Sequence, residues 1–104
     1  MADHQSRELG DIATTLLFEN DRVRVWELLL EPGERTAVHR HDHDYLMIQV
    51  AGDEISAEFE PDSGDSFGGA TMPDRTITAP VTPGLVVWAD AGGIETAINT
   101  GGVT

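Results

Sequence analysis

The sequence predicts an all-β domain, and three observations predict it. Short runs of Val, Ile, Leu and aromatic residues recur along the 104-residue chain, with 11 Gly and 5 Pro falling mostly between them, the pattern of many strands joined by tight turns. Several of those runs alternate apolar and polar residues with period two. No segment carries the 3.6-residue periodicity of a helix of useful length. The length and the 39% hydrophobic content suit one domain with its own core and are too small for two.

The elements follow in order. Residues 1–13 are polar and aperiodic, a flexible lead-in or a short strand that pairs with a partner subunit, and residues 14–104 form the folded domain. Residues 16–19 read as a strand, Asn20-Asp21 as a turn, and 22–30 as a long strand in which Val23 and Val25 alternate with Arg22 and Arg24. Pro32 and Gly33 occupy the two central places of a type II turn, so the chain reverses there and returns through residues 35–41 as a further strand. Asp42-His43-Asp44 forms a turn before the β-rich run 45–50. In residues 54–60, Ile55, Ala57 and Phe59 face one way and Glu54, Glu58 and Glu60 the other, which predicts a half-exposed strand. Residues 61–69 read as a mobile loop able to serve as a lid. Residues 71–78 read as an edge strand broken by Pro73, Pro80 and Pro83 bracket a turn, and 85–89 and 94–99 are the last two strands.

Composition excludes several roles. Asp and Glu number 19 against 6 basic residues, all of them Arg, for a formal charge of -13, which repels a phosphate backbone and an anionic membrane surface alike. Neither nucleic acid nor membrane is an expected partner, and the acid reads mainly as a solvated surface. The absence of cysteine removes disulfides, thiolate metal sites and a Cys nucleophile, so any metal must take N and O ligands. No stretch has the apolar core of a signal peptide or the length to cross a bilayer, and the expected location is the cytoplasm.

His39 and His41 are two apart, so on a strand their rings project from one face and can share an ion. Spacing alone fits equally well two ordinary surface or hydrogen-bonded histidines. The wider pattern resembles the cupin superfamily, whose first motif runs Gly, five residues, His-x-His, three or four residues, Glu, six residues, Gly. Gly33, His39, His41, Tyr45 and Gly52 keep those intervals, with Tyr45 in place of the Glu. In the second motif Gly84, Asp90, Gly92, Glu95 and Asn99 keep every interval, with Asp90 in place of a Pro and Glu95 in place of a His. The resemblance spans roughly residues 14 to 99.

That resemblance implies a double-stranded β-helix, or jelly-roll, barrel holding a divalent metal between its sheets. Carried over by position, it implies His39 and His41 as ligands, Glu95 where a third His would be, and Tyr45 where the carboxylate would be. Two imidazoles and one carboxylate compose the facial triad of non-haem Fe(II), the favoured ion, although Mn, Ni, Co or Zn would also suit. Tyr45 reads more readily as a proton-handling hydroxyl than as a direct ligand, because a phenol must lose its proton to bind metal well. Met47 and Gln49 alternate with it and would line the cavity, either in packing or against a bound molecule. His43 reads as a rim residue, His4 as solvated, Arg75 as a surface residue, and Trp26 and Trp88 as core or subunit-interface residues. Cupins carry a further apolar strand after the motif's Asn, whereas here only five residues follow Asn99. Completion of the barrel by a partner subunit and a shortened polypeptide both remain open, and a homodimer would cover an exposed sheet edge. The function implied is a metal-dependent enzyme on a small organic molecule, by dioxygenase-like oxidation or by isomerase or lyase chemistry. The alternative is a non-catalytic module binding a small ligand or metal.

Overall fold

The computed structural model describes residues 9–64 and 74–104, and these contain strands, turns, bends and irregular connections but no helix. Eight strands run in chain order: β1 Thr15–Glu19, β2 Arg24–Glu27, β3 His39–Arg40, β4 Tyr45–Ile48, β5 Glu54–Phe59, β6 Thr76–Pro80, β7 Val86–Ala89 and β8 Ile94–Asn99. All pairings are antiparallel. They build a four-stranded sheet in the order β3-β8-β5-β6 and two-stranded sheets β1-β2 and β4-β7, the layers of a jelly-roll barrel. No helix of the described residues is long and apolar enough to cross a membrane.

The best-buried part of the molecule is β8, whose neighbours β3 and β5 shield both of its edges. Phe59, Ala89, Ile94 and Ile98 are its apolar core, yet His39, His41, Ser56, Glu95, Thr96 and Asn99 are buried with them. Polar groups held in such a place must find partners or leave the fold weakened. Asn99 meets that demand three times over. Its amide nitrogen donates to the carbonyls of Leu30 (2.9 Å) and Val103 (2.7 Å), and its side-chain oxygen accepts from Gly101 N (2.9 Å).

The turns match their residues. Gly33 has φ 86°, the left-handed value that the second central place of a type II turn requires, and Glu34 N closes the turn on Glu31 O at 2.9 Å. Pro83-Gly84 repeats the device, with Gly84 at φ 88° and Leu85 N donating to Thr82 O.

Three strands differ from expectation. The stretch 22–30 is in β conformation only over Arg24–Glu27. At its start the Asn20 side chain accepts from the N–H groups of Arg22 and Val23, which extends the turn. At its end Thr14 Oγ1 accepts from Leu29 N and donates to Leu29 O, so a side chain occupies that strand's backbone. The stretch 35–41 is also broken, with only an isolated bridge from Arg35 to Ile98 before His39–Arg40. The edge strand begins at Thr76 and ends on Pro80 itself, where no ladder donor is needed. Ser56, on the face of β5 expected to be exposed, is buried and hydrogen-bonded to Thr78 (2.7 Å) and Thr100 (3.1 Å).

Of the lead-in, residues 9–13 are described, and Gly10 N donates to Val38 O of the same chain. The expected loop is described only to Gly64, up to which Gly64 N donates to Gly92 O and Ile94 N to Ser63 Oγ. Its lid role, and the start of the expected strand at 71–73, lie outside the described residues.

Replacing Asn99 with Ala strands two carbonyls and one N–H beside the core. The expected loss is about 2 kcal/mol of unfolding free energy, read by urea denaturation; a loss under about 0.5 kcal/mol, the level of an ordinary surface change, would show that Asn99 does not pin the chain's last turn.

Candidate metal centre

The centre is assembled by the pairing of β3 with β8. His39 lies directly opposite Glu95 and Arg40 opposite Ile94. The ladder continues past β3, where His41 N donates to Gly93 O and Gly92 N to His41 O, both at 2.8 Å. Alternation therefore turns His39, His41 and Glu95 to the same interior face and Arg40 to solvent, where it pairs with Asp42 at 2.7 Å.

The break in the strand before His39 has a purpose visible in its hydrogen bonds. The register changes by one residue between the Arg35–Ile98 bridge and the His39–Glu95 pair. In the interval Ala97 N donates to Thr36 Oγ1 at 3.0 Å, a side chain standing in for part of the ladder. Ala37 is thereby set so that its carbonyl accepts from His39 Nδ1–H at 2.9 Å, with the Thr36 hydroxyl 3.3 Å from the same nitrogen. A carbonyl only accepts, so the neutral ring carries its proton on Nδ1 and presents the Nε2 lone pair to the interior. This is the outer hydrogen bond that fixes a ligating histidine.

His39 is 1% exposed and Glu95 7%. Glu95 Oε1 accepts from His41 Nε2 at 3.1 Å and lies 3.9 Å from His39 Nε2. The other carboxylate oxygen, Oε2, is buried with no hydrogen-bond partner among the described residues. A carboxylate oxygen taken out of water and left without a donor is costly, and a cation is the species that removes that cost. One ligand atom from each of His39, His41 and Glu95 lies within 4.8 Å of the others. Two imidazoles and one carboxylate suit a divalent transition metal, so the group could hold such an ion, with His41 then carrying its ring proton on Nδ1 and leaving Nε2 free to ligate.

Tyr45 lies beside this group. Its ring stacks on His41 with centroids 4.0 Å apart and planes 13° from parallel. Burial first, and then the Glu95 carboxylate, push its phenol well above the ordinary value, so it stays protonated and is suited to donating a hydrogen bond. His43 is exposed in the turn after His41 and is not one of the three clustered side chains.

The centre opens on a cavity of about 1740 Å³, whose lining includes Tyr45, Met47, Gln49, Val87 and Trp26. Gln49 is partly committed elsewhere, since its side-chain oxygen accepts from Thr82 N at 2.7 Å and so holds the Pro83-Gly84 turn. Arg75 is exposed, as expected. Trp26 is half-buried, but Trp88 is not a core residue: its ring is largely in solvent and its indole N–H donates to Asp90 at 3.0 Å. The feature hidden from sequence reading was Thr36, whose role depends on a local break that no periodicity marks.

Burial, with His41 acting in the same direction, holds His39 below the ordinary imidazole value of 6.5. A group depressed on folding contributes stability that is complete above its unfolded pKa and is lost as pH falls through the folded one. The metal-free chain is therefore expected to hold its melting temperature down to about pH 6.5 and lose it progressively below. A profile flat to pH 5 would mean that His39 is not buried neutral.

Comparison with known proteins gives a single direction. No protein-family model matches the chain, and no curated protein sequence does. Among solved structures, a cupin domain from Bordetella pertussis Tohama I matches with a TM-score of 0.64 at 24% sequence identity, over 86% of this chain and 79% of that one. The fold is the cupin barrel.

Proposed function

We propose, from the premise of a cupin barrel with a two-histidine, one-carboxylate group facing its cavity, that the protein is a cytoplasmic metal-dependent enzyme acting on a small organic molecule. The observation that carries this reading is the partnerless Glu95 Oε2 beside two buried imidazoles. An internal salt bridge built for stability would satisfy both oxygens, whereas this arrangement leaves one without a donor among the described residues. Fe(II) is the favoured ion, with Mn, Ni, Co and Zn as alternatives. When bound it supplies Lewis acidity and open coordination positions for substrate or oxygen.

The chain's own groups divide the remaining tasks. His39 is held in one orientation by Ala37 O and Thr36. Tyr45, protonated and stacked on His41, is placed to donate a hydrogen bond to a substrate oxygen and to hold or return a proton there. Met47 and Val87 give the cavity an apolar wall, which strengthens every polar contact made against it. Dioxygenase-like oxidation suits this set, and isomerase or lyase chemistry needs only the same hydroxyl.

Glu95→Ala is expected to lower metal affinity by more than about tenfold, measured by elemental analysis after equilibration with limiting metal and dialysis. Retention of wild-type metal content would remove Glu95 from the ligand set. Protein reconstituted with Fe(II) is expected to consume oxygen with a member of a panel of small phenols, enols and carbonyl compounds. Tyr45→Phe should then lower kcat by about a hundredfold or more with metal content unchanged. Tight ligand binding without turnover would instead support a non-catalytic binding module.

A further inference from the structure

The strands that carry the candidate metal centre also run away from it along an apolar wall. On β8 the residues that share a face with Glu95 are Ala97 and Asn99, and across the ladder Phe59, Ala57 and Ile55 lie opposite these three in turn. On β4, Tyr45 is followed on its own face by Met47, paired with Val87, and then by Gln49. These residues line the same cavity as His39 and His41. From Tyr45 to Gln49, and from Glu95 to Asn99, is four residues along a strand, a span of roughly 13 Å.

The wall is not filled by its own side chains. Ala57 and Ala97 are paired at its centre and stay only half-buried, whereas Ser56, Thr96 and Ile98 on the other face of the same sheet are buried. Two methyl groups at the middle of a barrel leave room that larger side chains would close. At the far end little polarity is on offer. Asn99 already uses both of its side-chain polar atoms, and the Gln49 oxygen holds Thr82 N.

The wall also lacks a counter-charge. The chain has no Lys, and all five arginines among the described residues are exposed. Glu95 is the buried carboxylate of the cavity lining, and the other acids there are exposed. A charged group carried into the middle of this space leaves water and gains no partner of opposite sign, so it is selected against whichever sign it bears.

We infer that the substrate of this centre is a molecule with an uncharged, apolar body and a single oxygen-bearing end, that end lying at His39, His41 and Tyr45 and the body over Ala57 and Ala97. The inference rests on the proposed function, in that it takes this cavity as the place where the reaction occurs. It sets aside amino acids, sugar phosphates, dicarboxylates and polyols, each of which carries more charge or more hydrogen-bonding groups than the wall can meet.

Calorimetric titration of the metal-free full chain with three naphthols tests this: the unsubstituted compound, one bearing a sulfonate at its far end and one bearing an ammonium group there. The neutral compound is expected to bind more tightly than either charged one, by about tenfold or more. The surface charge of -13 acting alone gives a different order, with the cation first and the anion last. Tightest binding of either charged compound overturns the inference, and so does a neutral naphthol that fails to bind at millimolar concentration. Ala97→Leu fills the centre of the wall and is expected to weaken binding of the neutral naphthol by about tenfold or more, with metal content after reconstitution unchanged. Binding as tight as in the wild type overturns the placement of the body. Should Ala97→Leu fail to fold, Val87→Phe puts the same question from β7, with the same loss expected and the same contrary result. The titration needs no metal, so its failure is distinct from failure of the metal centre, which elemental analysis reads.

Discussion

The structure depends on the register of β3 against β8. In an antiparallel pair, the residue opposite and the residues two along share a face, and a slip of one turns the whole set over. With His39 opposite Glu95, three groups able to ligate a metal look inward and Arg40 looks out. Shifted by one residue, the same strands would bury a guanidinium and send both imidazoles to water. The paired strands are held at both ends, by the Gly92 and Gly93 contacts to His41 and by Gly33 N donating to Asn99 O and Asn99 N to Glu34 O.

Burial of so much polarity on one strand would be a defect if it were only structural. β8 alone brings Glu95, Thr96 and Asn99 into the interior, and only four large or small apolar residues share that burial. Asn99 is fully employed in holding the chain around it. Glu95 is not, because one of its oxygens has no donor among the described residues. The contrast sets a group fully used by the fold against one with capacity to spare for an ion, since an unsatisfied buried polar atom in a native protein calls for an explanation of that kind.

Much of this was legible in the residues. The Pro-Gly turns, the last two strands and the position of β5 follow from turn chemistry and alternation, and Gly33 adopts the positive φ its turn demands, whereas the burial of Ser56 on the face of β5 expected to be wet does not. The His39, His41 and Glu95 set was reached through motif intervals, since period-two alternation can place His39 and His41 together but says nothing about a residue 54 positions away from His41. What stayed hidden depends on contacts between distant segments. Thr36 replaces a ladder bond and so interrupts a strand that its sequence would continue. Thr14 similarly ends β2 early. The exposure of Trp88 follows from which of its strand's two apolar faces looks inward, and both faces of that strand read alike.

The central claim is that His39, His41 and Glu95 together form a coordination sphere. X-ray absorption at the metal edge of loaded protein tests it most directly. The account predicts two imidazole rings and at least one carboxylate oxygen in the first shell, with one imidazole lost in His39→Ala. A shell of oxygen atoms alone, unchanged by that substitution, would contradict it.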